Sequence, residues 1–316
     1  MKVNILLSTY NGARFLAQQI ESIQAQTYAD WQLLIRDDGS SDDTRTVIAA
    51  FVAKDSRIRW VNPDEERNLG VIKSFYSLVK HEPADVYFFS DQDDVWLPDK
   101  LAVTLSQVKQ EDMTKPLLVY TDLKVVNQEL TVLHKSMIAT QSHHANTELQ
   151  QELTENTVTG GTMMINHALA ELWQTADDLL MHDWYLALVA SSMGKLVYVD
   201  QATQLYRQHD SNVLGARTWR KRMKNWLRPQ VLVAKYWWLI KSSQAQATKL
   251  LALPLPQDKK AIVDAYIGLM NQPLRQRWAT LRRYGFAKNR WFHTLVFTTL
   301  ILTKFGYLSE KRDESI

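Results

Sequence analysis

The chain has no cysteine in its 316 residues. That removes disulfides, thiolate metal sites and cysteine nucleophiles, and it suits a reducing, cytoplasmic setting. Phosphate-cradling glycine loops are also missing. No G-x-G-x-x-G follows the first apolar run and no G-x-x-x-x-G-K-[S/T] occurs anywhere, which disfavours a dinucleotide or P-loop fold. No apolar run reaches the roughly 20 residues needed to cross a bilayer. The stretch 292–303, between Arg290 and Lys304, is mostly apolar but too short, and is expected to be buried or interfacial. The opening MKVNILLSTYNG turns polar too soon for a signal peptide and reads as a first strand. Internal repeats and low-complexity stretches are absent as well.

What is present is a globular composition, 46% apolar and 22% charged, enough for one large core or two domains. The net charge of +3 conceals a division. Residues 217–316 hold 20 Lys and Arg against 5 Asp and Glu, whereas 1–216 hold 17 against 29. A basic tail on an acidic body points the tail toward an anionic surface, membrane or nucleic acid.

Over the first hundred residues, short apolar runs alternate with helical spacing. Strands are expected at Ile5–Leu7, Trp31–Ile35, Ile58–Val61 and Val86–Phe89, with helices at 15–23, 44–51 and 71–80 between them. Further strands are expected at 117–120, 163–165, 196–199 and 204–209, with helices over 168–180 and from His182. The alternation predicts βαβ units in a mostly parallel, Rossmann-like sheet flanked by helices. Such sheets place ligands outside the carboxyl ends of their strands. The polar clusters Ser8-Thr9-Tyr10-Asn11, Asp37-Asp38-Gly39-Ser40 and Asp91-Gln92-Asp93-Asp94 each follow an apolar run, so they should gather at one edge.

The last cluster crowds three carboxylates into four positions. A divalent cation, Mg²⁺ or Mn²⁺, would remove their mutual repulsion, because it prefers carboxylate, phosphate and water oxygens. The plain alternative is a solvated turn with an Asp capping the helix that starts near Pro98. In the same way, Asp37 reads as a turn residue.

The chain resembles family 2 glycosyltransferases, which have the GT-A fold. The matching pieces are LSTYNG (7–12), QTYADWQLLIRDDGSSDDT (26–44), NLG (68–70), SDQDDVW (90–96), GG (160–161), HDW (182–184) and QLYRQHDSN (204–212). They span residues 1–215, two thirds of the chain, and their order is more specific than any one of them. SDQDDVW and YRQH are most similar to the branch that includes bacterial rhamnosyltransferases of surface polysaccharide synthesis.

The resemblance implies a UDP- or dTDP-sugar donor. Thr9, Tyr10 and Asp38 match nucleotide-binding positions, Tyr10 stacking on the base and Asp38 accepting its ring N–H. Asn68 and Lys73 would complete nucleotide or phosphate contacts. Asp91 and Asp93 match the metal–diphosphate motif called DXD, with Asp94 and His209 as further candidate ligands. Asp183 matches the general base of an inverting transfer. His182 stands where the family often has an acid, and would orient Asp183 or face solvent. Trp184 would wall the acceptor site, and Gly160 and Gly161 would let the acceptor approach the backbone.

The division of charge suggests a GT-A domain over 1–215 and a helical, basic, Trp-rich region over 216–316. Six of the eleven Trp lie beyond 216. In 217–228, Trp219, Met223, Trp226 and Leu227 share a face among cations, the pattern of an interfacial helix. The expected partners are an anionic membrane surface on the cytoplasmic side and a lipid-linked glycan or polysaccharide acceptor, with no nucleic acid. Two other readings stand beside this one, a nucleotidyltransferase and a non-catalytic membrane- or nucleic-acid-binding scaffold. The single Gly and Arg of STYNGAR argue against the first, and intact Asp91, Asp93 and Asp183 against the second.

Overall fold

A computed structural model describes residues 1–208 and 229–307. Its first half alternates β1 (Val3–Thr9), α1 (Ala13–Gln24), β2 (Gln32–Asp37), α2 (Thr44–Val52), β3 (Ile58–Trp60), α3 (Val71–His81) and β4 (Val86–Ser90). There follow β5 (Val95–Trp96), α4 (Lys100–Val108), β6 (Leu117–Val126), β7 (Val132–His134), α5 (Leu149–Thr154), β8 (Met163–Asn166), α6 (His167–Leu172), α7 (His182–Met193) and β9 (Lys195–Arg207). Four more helices close the described chain: α8 (Pro229–Lys249), α9 (Gln257–Ile267), α10 (Leu274–Tyr284) and α11 (Trp291–Thr303).

The strands form one sheet in the order β3-β2-β1-β4-β8-β6-β9-β5, with β7 paired to β6. From β3 to β4 every pairing is parallel. Beyond β4 the sheet is mixed, because β8 runs antiparallel to both β4 and β6 while β9 returns parallel to β6. The architecture is a GT-A-like α/β layer with a helical C-terminal region.

Period-two alternation explains the two cores. Val3, Ile5 and Leu7 of β1, Leu33 and Ile35 of β2, and Val86 and Phe88 of β4 pack against α1, α2 and α4. Leu6, Leu34, Tyr87 and Phe89 point the other way and pack against α3, α5 and α7. That second core continues into the C-terminal helices through Trp237, Tyr266, Leu281, Phe297 and Ile301. Polar links join the same parts. Thr154 Oγ1 donates to the Ala287 carbonyl at 2.5 Å, and the Leu180 N–H donates to Gln246 at 2.9 Å.

Several expectations change. The helix expected over 168–180 stops at Leu172, where the buried Trp173 turns its indole N–H onto the Thr175 carbonyl at 3.0 Å. The two strands expected over 196–209 are one strand of 13 residues. The stretch 292–303 is helical and packs inward through Phe297, Leu300 and Ile301. The amphipathic helix expected over 217–228 and the candidate ligand His209 lie outside the described residues, as does the boundary at 215. No helix among the described residues is long and apolar enough to cross a membrane.

The return from α7 to β9 is tight at Gly194. A Cβ there would stand 1.9 Å from the Pro116 carbonyl oxygen, and this is backbone that cannot swing aside. Gly194→Ala should therefore destabilise the fold by about 1–3 kcal/mol, read as a lower midpoint in thermal unfolding.

Candidate active site

Parallel register brings the polar clusters to one edge: Thr9 pairs with Asp37, and Leu7 with Ser90. Beyond β1 the chain turns through Asn11, whose φ is +48°. The Asn11 Oδ1 accepts the Ser41 N–H at 2.8 Å and so ties this turn to the next one. Gln92, inside the acid cluster, clamps the tip of β1. Its Oε1 accepts the Tyr10 N–H at 2.8 Å and the Thr9 hydroxyl at 2.5 Å, while its Nε2 donates to the Tyr10 carbonyl at 3.0 Å. Tyr10 is thereby fixed by its backbone with half of its side chain exposed. Gly12 is required here, since a Cβ on it would meet Gln92 Oε1 at 2.2 Å.

Asp37 and Asp38 both face inward. Asp37 accepts the N–H and hydroxyl of Ser40, the turn role the sequence suggests. Asp38 accepts the Leu69 N–H at 2.7 Å and the Gly70 N–H at 2.8 Å, and the Arg36 guanidinium at 2.5 Å. Arg36 is itself buried and also reaches Ser74 and the Arg67 carbonyl. The Asp38 carboxylate therefore holds the 68–70 loop. Asn68 in that loop is exposed, its Oδ1 accepting the Gly70 N–H at 3.2 Å. Lys73 is exposed too and pairs with Asp177 at 2.7 Å.

Three carboxylates, those of Asp91, Asp94 and Asp183, lie about the Gly160-Gly161 turn. A Cβ on Gly161 would lie 3.2 Å from Asp91 Oδ2, 3.3 Å from Asp94 Oδ2 and 2.9 Å from Gln204 Nε2. The Gly160 N–H donates to Asp183 Oδ2 at 3.2 Å, and the Trp184 N–H to Asp183 Oδ1 at 2.6 Å. Gly161 is thus tight against Gln204, Asp91 and Asp94, whereas a Cβ on Gly160 would meet His182 Nε2 at 3.2 Å.

Each acid has a different setting. Asp94 is buried with both oxygens engaged, one by Gln204 Nε2 at 3.0 Å and one by the Arg207 N–H at 3.2 Å. Asp91 is half-buried, and its carboxylate accepts no hydrogen bond from a described residue. Burial, then the charges of Asp93 and Asp183, push its pKa up to about 7 against the opposing pull of Lys100. Burial raises Asp183 to about 6, although the Trp184 and Gly160 N–H groups favour its ionised form. The Asp93 carbonyl receives Arg207 Nε at 2.9 Å.

Two expectations on the acceptor side are corrected. His182 neither orients Asp183 nor meets solvent. It is 3% exposed and lies among the rings of Phe75, Phe89 and Trp173, with centroids 4.7, 5.7 and 6.3 Å away. Neither ring nitrogen has a hydrogen-bond partner among the described residues, and burial lowers its pKa to about 3, so it is neutral. Trp184 is buried in the core, its indole N–H donating to the Glu152 carbonyl at 2.7 Å, and does not wall an open cleft.

The chain matches the sequence model described as glycosyl transferase family 2 over residues 4–173. It belongs to that family. This family 2 glycosyltransferase is 29% identical to the dTDP-rhamnosyl transferase RfbG of Shigella flexneri over 223 residues, 66% of its own length and 74% of the relative's. It is also 29% identical, over 130 residues, to the UDP-Glc:alpha-D-GlcNAc-diphosphoundecaprenol beta-1,3-glucosyltransferase WfgD of Escherichia coli; that match covers 41% of this chain and 49% of the relative. Among solved structures it shares its fold with S. aureus TarS 1-349 in complex with UDP, with a TM-score of 0.56 and 15% identity, over 85% of this chain and 70% of that one. The enzyme is a glycosyltransferase that uses a nucleotide-sugar donor.

Gln92, Lys100, Gln204, Arg36 and Arg207 organise the site of this family 2 glycosyltransferase but were not singled out from sequence. Gln92 and the pair Gln204 and Arg207 lie inside stretches that were, and Lys100 carried one signal: a cation at the first position of a helix, where the dipole favours an acid.

The raised carboxyls make stability depend on pH. Asp91 binds its proton more tightly in the folded chain than in the unfolded one, where an Asp titrates near 4. Its contribution to stability is thus present at low pH and lost as pH rises through about 7. Asp91→Asn should raise the thermal midpoint at pH 8, and the gain should shrink as the scan is repeated toward pH 5.

Proposed function

We propose that this enzyme moves a sugar, rhamnose being the favoured one, from a dTDP- or UDP-sugar to a hydroxyl of a lipid-linked glycan, with inversion at the anomeric carbon. One observation carries the reading. Asp183, with its pKa raised to about 6, and Asp91 lie against adjacent glycines of one short turn. A base for the acceptor hydroxyl and an acid cluster for the donor diphosphate are thus brought together. The relatives support the donor and acceptor classes, since one is named for dTDP-rhamnose transfer and the other for a diphosphoundecaprenol acceptor.

Tyr10 offers its half-exposed ring to the base. Thr9 acts one step back, through Gln92. Asp38 also acts indirectly, by shaping the loop that carries Asn68. Lys73 can turn to a phosphate by releasing Asp177, an exposed pair worth no more than about 1 kcal/mol.

Asp91 and Asp93 would hold Mg²⁺ or Mn²⁺. Asp94, the third candidate, is engaged by Gln204 and Arg207 and serves as a brace. Among the described residues no three metal-binding side chains are gathered, but two carboxylates suffice for an ion that shares its shell with substrate phosphates and water. The unbonded, charge-strained carboxylate of Asp91 fits that use. When bound, such an ion supplies positive charge to a departing nucleoside diphosphate.

Asp183 takes the proton of the attacking acceptor hydroxyl. Two backbone N–H bonds fix its carboxylate, and the neutral His182 beneath it adds no competing charge. A pKa of about 6 leaves it ionised at neutral pH yet more basic than an exposed Asp.

Asp183→Asn should reduce transfer by at least about 10²-fold while leaving UDP or dTDP binding intact, measured by product formation and by calorimetric titration. Equal loss of both would remove the base role. In the wild type, the rate should fall as pH drops through about 6, and EDTA should abolish transfer until Mn²⁺ is restored.

The C-terminal helices supply a surface for an anionic membrane. Leu274 and Trp278 are four residues apart on α10 and exposed; Trp291 and Leu295 are likewise on α11. Arg275, Arg282 and Arg283 accompany them on α10. Trp at the headgroup boundary with nearby Arg is an interfacial pattern. The double substitution of Trp278 and Trp291 by Ala should lower co-sedimentation with phosphatidylglycerol vesicles and leave soluble-acceptor activity unchanged; undiminished sedimentation would remove these helices from the anchor.

A further inference from the structure

Lys100 is fully buried at the first position of α4. Two general penalties bear on it: an ammonium removed from water, and a cation at the positive end of a helix. The surroundings answer both. Its Nζ donates to the Gly161 carbonyl at 2.5 Å and to Gln204 Oε1 at 2.6 Å, and stands 4.4 Å from the centroid of the Trp96 ring. Those two acceptors lie 61 and 104 residues further along the chain. Gln204 passes the connection on, its Nε2 donating to Asp94 Oδ2 at 3.0 Å.

We infer that Lys100 is a positioning residue for sugar transfer: it pins the Gly160-Gly161 turn to the Asp94 end of the acid loop, so that Asp91 and Asp183 keep their places on either side of that turn. With no exposed surface, Lys100 touches neither donor nor acceptor. It acts through Gly161, whose Cα is packed against Asp91, and through the turn whose Gly160 N–H holds Asp183. Its positive charge also favours the ionised forms of Asp91 and Asp94, while burial lowers the Lys100 pKa to about 7. A neutral side chain of similar length would fill the space but leave the Gly161 carbonyl and the Gln204 amide without this bond.

The inference rests on the cleft being the transfer site, and the test separates the two. Lys100→Met, Lys100→Gln, Gln204→Leu, the Lys100→Met/Gln204→Leu pair and Asp183→Asn are compared with wild type in the full chain, by steady-state transfer and by titration with UDP and dTDP. Lys100→Met is expected to lower kcat by about 10²-fold, the scale of a 1 Å misplacement, with nucleotide affinity within about threefold of wild type. Lys100→Gln, which keeps an N–H donor for Gly161, should lose less. The double variant should lose no more than the worse single one, because both changes break one link. An unchanged kcat in Lys100→Met, losses that multiply in the double variant, or nucleotide affinity that falls in step with kcat would each overturn the inference. If Lys100→Met does not fold, Lys100→Gln decides: lowered kcat with retained nucleotide affinity supports the positioning role, and wild-type kcat ends it. Asp183→Asn that still transfers would instead overturn the assignment of the cleft.

Discussion

Repulsion among carboxylates is the constraint around which this molecule is arranged. Asp91, Asp93, Asp94 and Asp183 converge where β4 ends and the two glycines turn. Burial and mutual charge raise the pKa of Asp91 and Asp94, and burial that of Asp183. In water such a group would spread apart. Here the parallel register of β1, β2 and β4 sets the edge, the missing side chains of Gly160 and Gly161 make room, and the buried Lys100 and Arg207 bond the backbone around the acids. The acids differ in consequence. Asp94, bonded on both oxygens, braces β9, whereas the side-chain carboxylate of Asp91 accepts no hydrogen bond from a described residue.

Gln92 locks the tip of β1 onto the acid loop by three hydrogen bonds, so that the exposed ring of Tyr10 and the carboxylates share one frame. On the acceptor side the environment is apolar. His182, enclosed by Phe75, Phe89 and Trp173, lines the underside of the turn with a neutral ring. That low-polarity bed is what lifts the pKa of Asp183, whose two N–H donors alone would lower it.

Much of this was legible in the order of residues. Apolar runs ending in polar clusters located β1, β2 and β4 and the edge they share, because strand periodicity and turn chemistry are local. Strand direction is not local, so the antiparallel entry of β8 between β4 and β6 was missed and the sheet looked more parallel than it is. Asp200 and Gln201 resemble a break, and the pairing with β6 does slip across them, yet β9 continues because it pairs with β6 again from Ala202 and with β5 at Gln204 and Leu205. His182 was misjudged because a polar residue beside a motif was taken to orient its neighbour or meet solvent, and the three aromatic rings around it become visible only in three dimensions; the bonds of Asp38 to Arg36 and the 68–70 loop were hidden for the same reason. Gln92, Lys100 and Gln204 escaped notice likewise, since their contacts span 61 to 110 residues.

The apolar core beneath α5 and α7 does not end with the α/β layer. Leu153, Trp184 and Leu188 belong to one continuous cluster with Trp237, Tyr266, Phe297 and Ile301. The C-terminal helices are consequently no detachable appendix. Cutting them away would strip oily surface from the elements that seat Asp183, and grafting a foreign tail would require a matching inner face. Whatever changes the outer side of those helices over evolutionary time must leave their inner side as it is, so new attachments can be acquired only by repainting the exterior.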